Sequence, residues 1–129
     1  MYRNILKISV ILLFISLLFS FGCKKKIIYD IRGEWDFEIM YNGKVINKTY
    51  NFTGSIESGN IYNYNNIHNL GTYRVNGNSV NFTVSYYGYD DGFNVETFSG
   101  FFNDIYSMSG DFTLHIKGDR SFSGTWTAE

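Results

Sequence analysis

One short phrase recurs along the chain and limits what it can fold into: a glycine, any residue, then an aromatic. It reads Gly33-Glu34-Trp35, Gly71-Thr72-Tyr73, Gly100-Phe101-Phe102, Gly110-Asp111-Phe112 and Gly124-Thr125-Trp126, with a softer copy at Gly54-Ser55-Ile56. On a strand, residues two apart share a face, so each glycine points the same way as its aromatic. A glycine on the buried face lets a strand bend and leaves space for a neighbour's ring. Repeated on successive strands, the phrase predicts a small closed barrel filled with aromatic side chains.

The rest of the chain from Ile27 onward agrees. Between Gly33 and Tyr41, Trp35, Phe37, Ile39 and Tyr41 alternate with Glu34, Asp36, Glu38 and Met40, the period of a half-buried strand with its carboxylates in water. Asn42-Gly43 is a strong hairpin signal and leads into a second strand, Val45 to Ile56. Glu57-Ser58-Gly59-Asn60 reads as the next turn. Ile61 to Leu70 is either a weak edge strand or a loop at one barrel mouth. Strands then follow at Gly71 to Val75 and, after Asn76-Gly77, at Val80 to Tyr86. The last three are Phe93 to Phe102, Tyr106 to Ile116 and Ser121 to Thr127. Aromatics are 19% of the chain and proline is absent, which favours uninterrupted strands. Consecutive hairpins without crossovers describe an all-β antiparallel up-and-down meander, roughly eight strands closed into a barrel.

The N-terminus has a different character. Arg3 and Lys7 precede an apolar run, Ile8 to Phe21, too short to cross a bilayer as a helix and of the length of a secretion signal. The run ends at Phe21-Gly22-Cys23, followed by Lys24-Lys25-Lys26. This resembles the lipobox of bacterial lipoproteins: Gly22 matches the small residue before the cysteine, while Ser20 and Phe21 depart from the usual pattern. The resemblance implies a signal peptide over 1–22, a lipidated Cys23 as mature N-terminus, and a short basic tether over 23–30. Two or three acyl chains, at about 0.8 kcal/mol per buried methylene, would hold the protein on a membrane. Lys24 in place of an aspartate implies, by the same resemblance, the outer membrane over the inner one.

From Ile27 onward the chain carries six basic and twelve acidic residues, a charge of −6. An acidic domain without a basic stripe argues against nucleic-acid binding. Cys23 is the single cysteine, so no intrachain disulfide can form. The two histidines, His68 and His115, are far apart, with no zinc-ligand spacing. His115, between Leu114 and Ile116, is expected to point outward. Asp90, Asp91 and Glu96 offer oxygen ligands without EF-hand spacing, so no metal or cofactor is expected. No nucleophile-elbow context is present, and a catalytic role is not expected.

Ile31-Arg32-Gly33-Glu34-Trp35 resembles the glycine-x-tryptophan that opens the first strand of lipocalins and related calycins. Gly71 to Asn78 and Phe122 to Ala128 resemble small lipocalin-like domains of bacterial lipoproteins. The resemblance covers 31–129 and implies a lipocalin-like barrel that carries a small hydrophobic ligand. Trp35, Phe37, Phe52, Tyr73, Phe82, Phe112 and Trp126 then either line an apolar pocket or fill the core. The other reading is a protein-interaction or inhibitor module with a filled core, acting through acidic, Tyr-rich loops. Its candidate contacts are Tyr87, Tyr89, Asp90 and Asp91, beside Tyr86.

Overall fold

The computed structural model describes residues 25–63, 68–88, 92–117 and 120–129. The run expected to be a signal segment, Cys23, Tyr89, Asp90 and Asp91 lie outside the described residues. Eight strands follow in order: β1 (Gly33–Tyr41), β2 (Lys44–Gly54), β3 (Ser58–Asn63), β4 (Asn69–Asn76), β5 (Ser79–Tyr87), β6 (Phe93–Phe102), β7 (Met108–Ile116) and β8 (Arg120–Ala128). Each pairs antiparallel with the next, and β8 returns to β1 through Gly124–Ala128 against Tyr41–Phe37, so the sheet is a closed all-β meander barrel. Among the described residues there are no helices.

Cross-strand register turns the sequence alternation into belts around the interior. Tyr73, Phe82, Phe98, Phe112, Gly124 and Tyr41 are successive partners in one belt. Val80, Gly100, Gly110, Trp126 and Ile39 form the next. Glycines alternate with rings where the rings need room. Gly100 and Gly110 face each other, and a Cβ on Gly100 would lie 2.7 Å from Cζ2 of Trp126. Gly33 works differently: it is exposed, with φ +113° and nothing within 4 Å of a Cβ, so it serves the backbone path into β1.

The turns follow local chemistry. Asn42 and Gly43 both have positive φ, 49° and 71°, between the paired Tyr41 and Lys44, as a type I′ hairpin requires. In the β4–β5 hairpin the two-residue loop is Gly77-Asn78 between Asn76 and Ser79, one residue later than an Asn-Gly turn would place it. Gly77, at φ 61°, then occupies the first central position, where a type II′ turn wants glycine. The sequence reading also put Ser58 to Asn60 in a turn. They open β3 instead, because the β2–β3 connection is completed by Ser55 to Glu57, with Ser55 Oγ accepting from the Glu57 and Ser58 amides. Ile61 is fully buried, and the register shifts between Ile61 and Tyr62, which masks the alternation of this strand.

One end of the barrel is closed by the segment that precedes β1. Ile31 is fully buried and its carbonyl accepts the Trp35 indole N–H at 2.8 Å. Tyr29 stacks on Phe102 with ring centroids 5.1 Å apart. The opposite end carries the β1–β2 and β5–β6 hairpins. Outward positions along the strands hold Glu34, Asp36, Glu38, Asn51, Arg74, Asn81 and Asp111, all exposed. A lipid-facing barrel needs an apolar outer band, so this barrel faces water.

Candidate functional site

The seven aromatic residues singled out from the sequence all lie in the buried core. Phe37 sits at its centre, with ring centroids 5.4–6.1 Å from Tyr50, Phe52, Phe82, Phe98 and Trp126. Phe82 and Phe98 stack face to face at 4.2 Å. Trp126 donates its indole N–H to the Asp111 carbonyl at 3.0 Å, and Phe52 meets Tyr73 edge-on at 5.5 Å. Rings at these separations are in contact, so the middle of the barrel is occupied by the protein's own side chains.

Among the described residues one carboxylate enters this interior. Glu96 is 2% exposed and sits on the inner face of β6, in the series Asn94, Glu96, Phe98, Gly100 and Phe102. The aromatic parity of that strand carries the signal: a glutamate between an asparagine and a phenylalanine on the ring-bearing face. Read with Asp90 and Asp91 it is a calcium-ligand candidate. In the structure it is turned inward and held by the chain itself. Lys48 pairs with Oε1 as an ion pair. Tyr86 donates its hydroxyl to Oε1 at 2.7 Å and Tyr50 donates to Oε2 at 2.9 Å. The Lys48 ammonium also lies 4.8 Å from the centroid of the Tyr86 ring, within cation–π range. A buried carboxylate is costly unless paired and hydrogen-bonded, and here both oxygens are satisfied.

The cluster alters its phenols. Burial, then the Glu96 charge, pushes the Tyr50 hydroxyl well above the ordinary tyrosine value. The same two causes raise Tyr86, with the Asn94 amide acting in the opposite direction. The Asn94 Oδ1 is buried and has no hydrogen-bond partner among the described residues.

The remaining sequence candidates are on the outside. Tyr87 is 79% exposed and its ring meets that of Phe93 at 5.4 Å, so β5 sends Tyr86 inward and Tyr87 into water. His115 is exposed, with Nδ1 2.7 Å from the Ser121 hydroxyl. In a serine-nucleophile triad the hydroxyl bonds Nε2 and a carboxylate orients Nδ1, so this contact has the wrong nitrogen. Among the described residues no group of three His, Cys, Asp or Glu side chains is placed to hold a metal ion. A cleft of about 510 Å³ opens between the start of β1 and the β6–β7 loop, lined by Glu34, Trp35, Asp104, Ile105, Tyr106, Ser107 and Glu129. A groove of about 670 Å³ runs along β1 and β2 beside the end of β8.

Fold and site together define a water-facing, eight-stranded meander barrel with an aromatic interior and one internally neutralised carboxylate. Comparison of the chain with protein-family models, with curated proteins and with solved structures found no match.

Proposed function

We propose that this protein is a lipid-anchored bacterial envelope component whose non-enzymatic, lipocalin-like barrel recognises a protein partner on its outer surface. The filled interior carries the reading. Rings occupy the space a small apolar ligand would need, and Lys48, Tyr50 and Tyr86 satisfy the one inner charge. What the barrel recognises is therefore met on its outside, where the net charge from Ile27 onward, −6, favours a basic partner. The anchor rests on the sequence: the single cysteine, Cys23, stands at the end of a secretion-signal-length apolar run. By its resemblance to a lipobox, Lys24 directs the protein to the outer membrane.

Native mass spectrometry of a soluble form beginning at Ile27 tests the first half. The expected result is the bare mass; a reproducible adduct of a small apolar molecule overturns the filled-core reading in favour of ligand carriage. Metabolic labelling with palmitate tests the second half. Label is expected in the wild-type protein and lost in Cys23→Ala, and label that persists in the variant refutes lipidation at this site.

A further inference from the structure

We propose that the barrel end closed by the segment before β1 seats in the head-group layer of a zwitterionic phospholipid bilayer, its apolar tips dipping into the acyl region. The proposal deepens the anchor reading above and rests on it. The topology supplies the first observation. In a meander the β2–β3, β4–β5 and β6–β7 connections all fall at the end where β1 begins. Two of these connections carry exposed apolar tips: Ile56 in one, and Ile105 beside the 76% exposed Tyr106 in the other. Ile27 and Ile28, both exposed, belong to the same end, because Tyr29 stacks on Phe102 and holds the entering segment against the start of the β6–β7 connection. At the other end the exposed apolar side chains are two cross-strand pairs, Met40 with Val45 on β1–β2 and Tyr87 with Phe93 on β5–β6, on opposite sides of the barrel.

The second observation is that the tips are held in place. The Asn103 amide donates to the Ser107 carbonyl at 2.9 Å and the Tyr106 amide to Asp104 Oδ1 at 2.7 Å. The Tyr73 hydroxyl donates to the Ser55 carbonyl at 2.5 Å, and Ser55 Oγ accepts the Ser58 amide at 3.0 Å. Isoleucines and a tyrosine on ordered tips form a surface that is apolar before anything meets it, with little left to order on docking. Tyrosine has the amphipathic ring that suits a membrane interface.

The tether and the charges fix the occupant. Lys25 and Lys26 are exposed, and the chain from Lys25 to Tyr29 spans at most about 14 Å. A lipid on Cys23, two residues before Lys25, would keep a bilayer within reach of this end for as long as the protein is anchored. Arg32 and Asp30 neutralise each other in an ion pair. That leaves Lys25 and Lys26 to meet lipid phosphates, and Glu34, Glu57 and Asp104 to meet the ammonium of the same head groups, a match to a zwitterionic surface. A second copy of this end would instead set those three carboxylates against their own kind.

Bromine on a lipid acyl chain quenches only a fluorophore that reaches the acyl region, which separates docking from mere tethering. Lipidated full-length protein with a fluorophore on Ile105→Cys would be reconstituted into brominated phosphatidylethanolamine–phosphatidylcholine vesicles. Quenching is expected to exceed that of the same fluorophore on Tyr87→Cys by at least about fivefold, and to fall to the Tyr87 level when Ile28→Asp and Tyr106→Asp are added. Both aspartates stand at exposed positions, so the melting temperature should not move. Equal quenching at the two labels, or quenching indifferent to the aspartates, overturns the assignment. A fluorophore shielded without bromine quenching, together with a doubled particle mass, gives the face to a second copy and overturns it too. Palmitate labelling of the same samples keeps the two readings apart. Label without extra quenching at Ile105 refutes docking and leaves the anchor standing; quenching without label keeps docking and removes the acyl anchor; neither signal refutes both.

Discussion

Glu96 shows what a single residue can do to a barrel. Placed among rings, its carboxylate is tolerable because two phenols and an ammonium converge on it, and in return its charge and the surrounding burial keep those phenols protonated. An unfolded tyrosine loses its proton near pH 10. Above that pH the unfolded chain has released protons that Tyr50 and Tyr86 still hold in the fold, so the unfolded state binds fewer protons and stability falls as pH rises. Below about pH 10 both states hold these protons and the effect vanishes. Thermal melts from pH 8 to 11.5 should therefore show a melting temperature that drops steeply above about pH 10. Tyr50→Phe should lower stability at neutral pH by about 1.5–3 kcal/mol, the worth of a hydrogen bond to a charged group, and flatten the alkaline drop. A wild-type melting temperature that stays level up to pH 11 would show that the phenols are not held this way.

At the scale of strands, the recurring glycine phrase acts through pairs. β6 and β7 place Gly100 opposite Gly110, and a Cβ on Gly110 would stand 2.0 Å from the Ser99 carbonyl oxygen and 2.5 Å from the Gly100 Cα. Neither atom is the end of a flexible side chain, so the strands must separate or slip. Gly110→Ala should cost about 3 kcal/mol, the upper part of the overpacking range. Gly92→Ala should be near neutral, because its Cβ would meet only Ile116 Cγ2 at 4.0 Å. Urea unfolding of the two variants compares them directly, and equal midpoints would reject the close approach. The same scale explains what could be read in advance. Trp35, Phe37 and Ile39 announce β1 by strict alternation, and Asn42-Gly43 fixes the first hairpin from two residues. β3 hides because its register shifts at Ile61 and its opening residues, Ser58-Gly59-Asn60, have turn chemistry. The parity of β6 puts Glu96 on the ring-bearing face, yet the sequence reading groups it with Asp90 and Asp91 as an oxygen ligand, and its partners leave no local signal. Lys48 and Tyr50 lie more than forty residues away on β2, and only closure of the barrel brings them to β6.

For the whole molecule, the plug that closes the barrel would, under the proposed anchor, also set its attitude to a membrane. Tyr29 is already packed on Phe102, and the Phe102 amide donates to the Asn78 carbonyl at 2.8 Å, so the chain leaves the barrel beside the β4–β5 hairpin. The six Cα–Cα steps from Cys23 to Tyr29 can span at most about 20 Å. A lipid on Cys23, as proposed above, would therefore hold this end near the bilayer, and with it the cleft flanked by Ile105 and Tyr106. The Tyr87–Phe93 pair and the β1–β2 hairpin would then stand farther out, since strands of nine residues (β1, β5) tilted in a barrel rise by about 20 Å. Energy transfer from a fluorophore to a head-group acceptor in vesicles should resolve that difference. A label on Asn78→Cys should transfer strongly and one on Lys44→Cys weakly, with both signals lost when Cys23→Ala removes the anchor. Equal transfer from the two labels would mean that the barrel lies on its side or tumbles freely on its tether. A stronger signal from Asn78 would mean that a partner meets the β1–β2 end of the barrel first and reaches the exposed Ile105 and Tyr106 only by running close along the membrane.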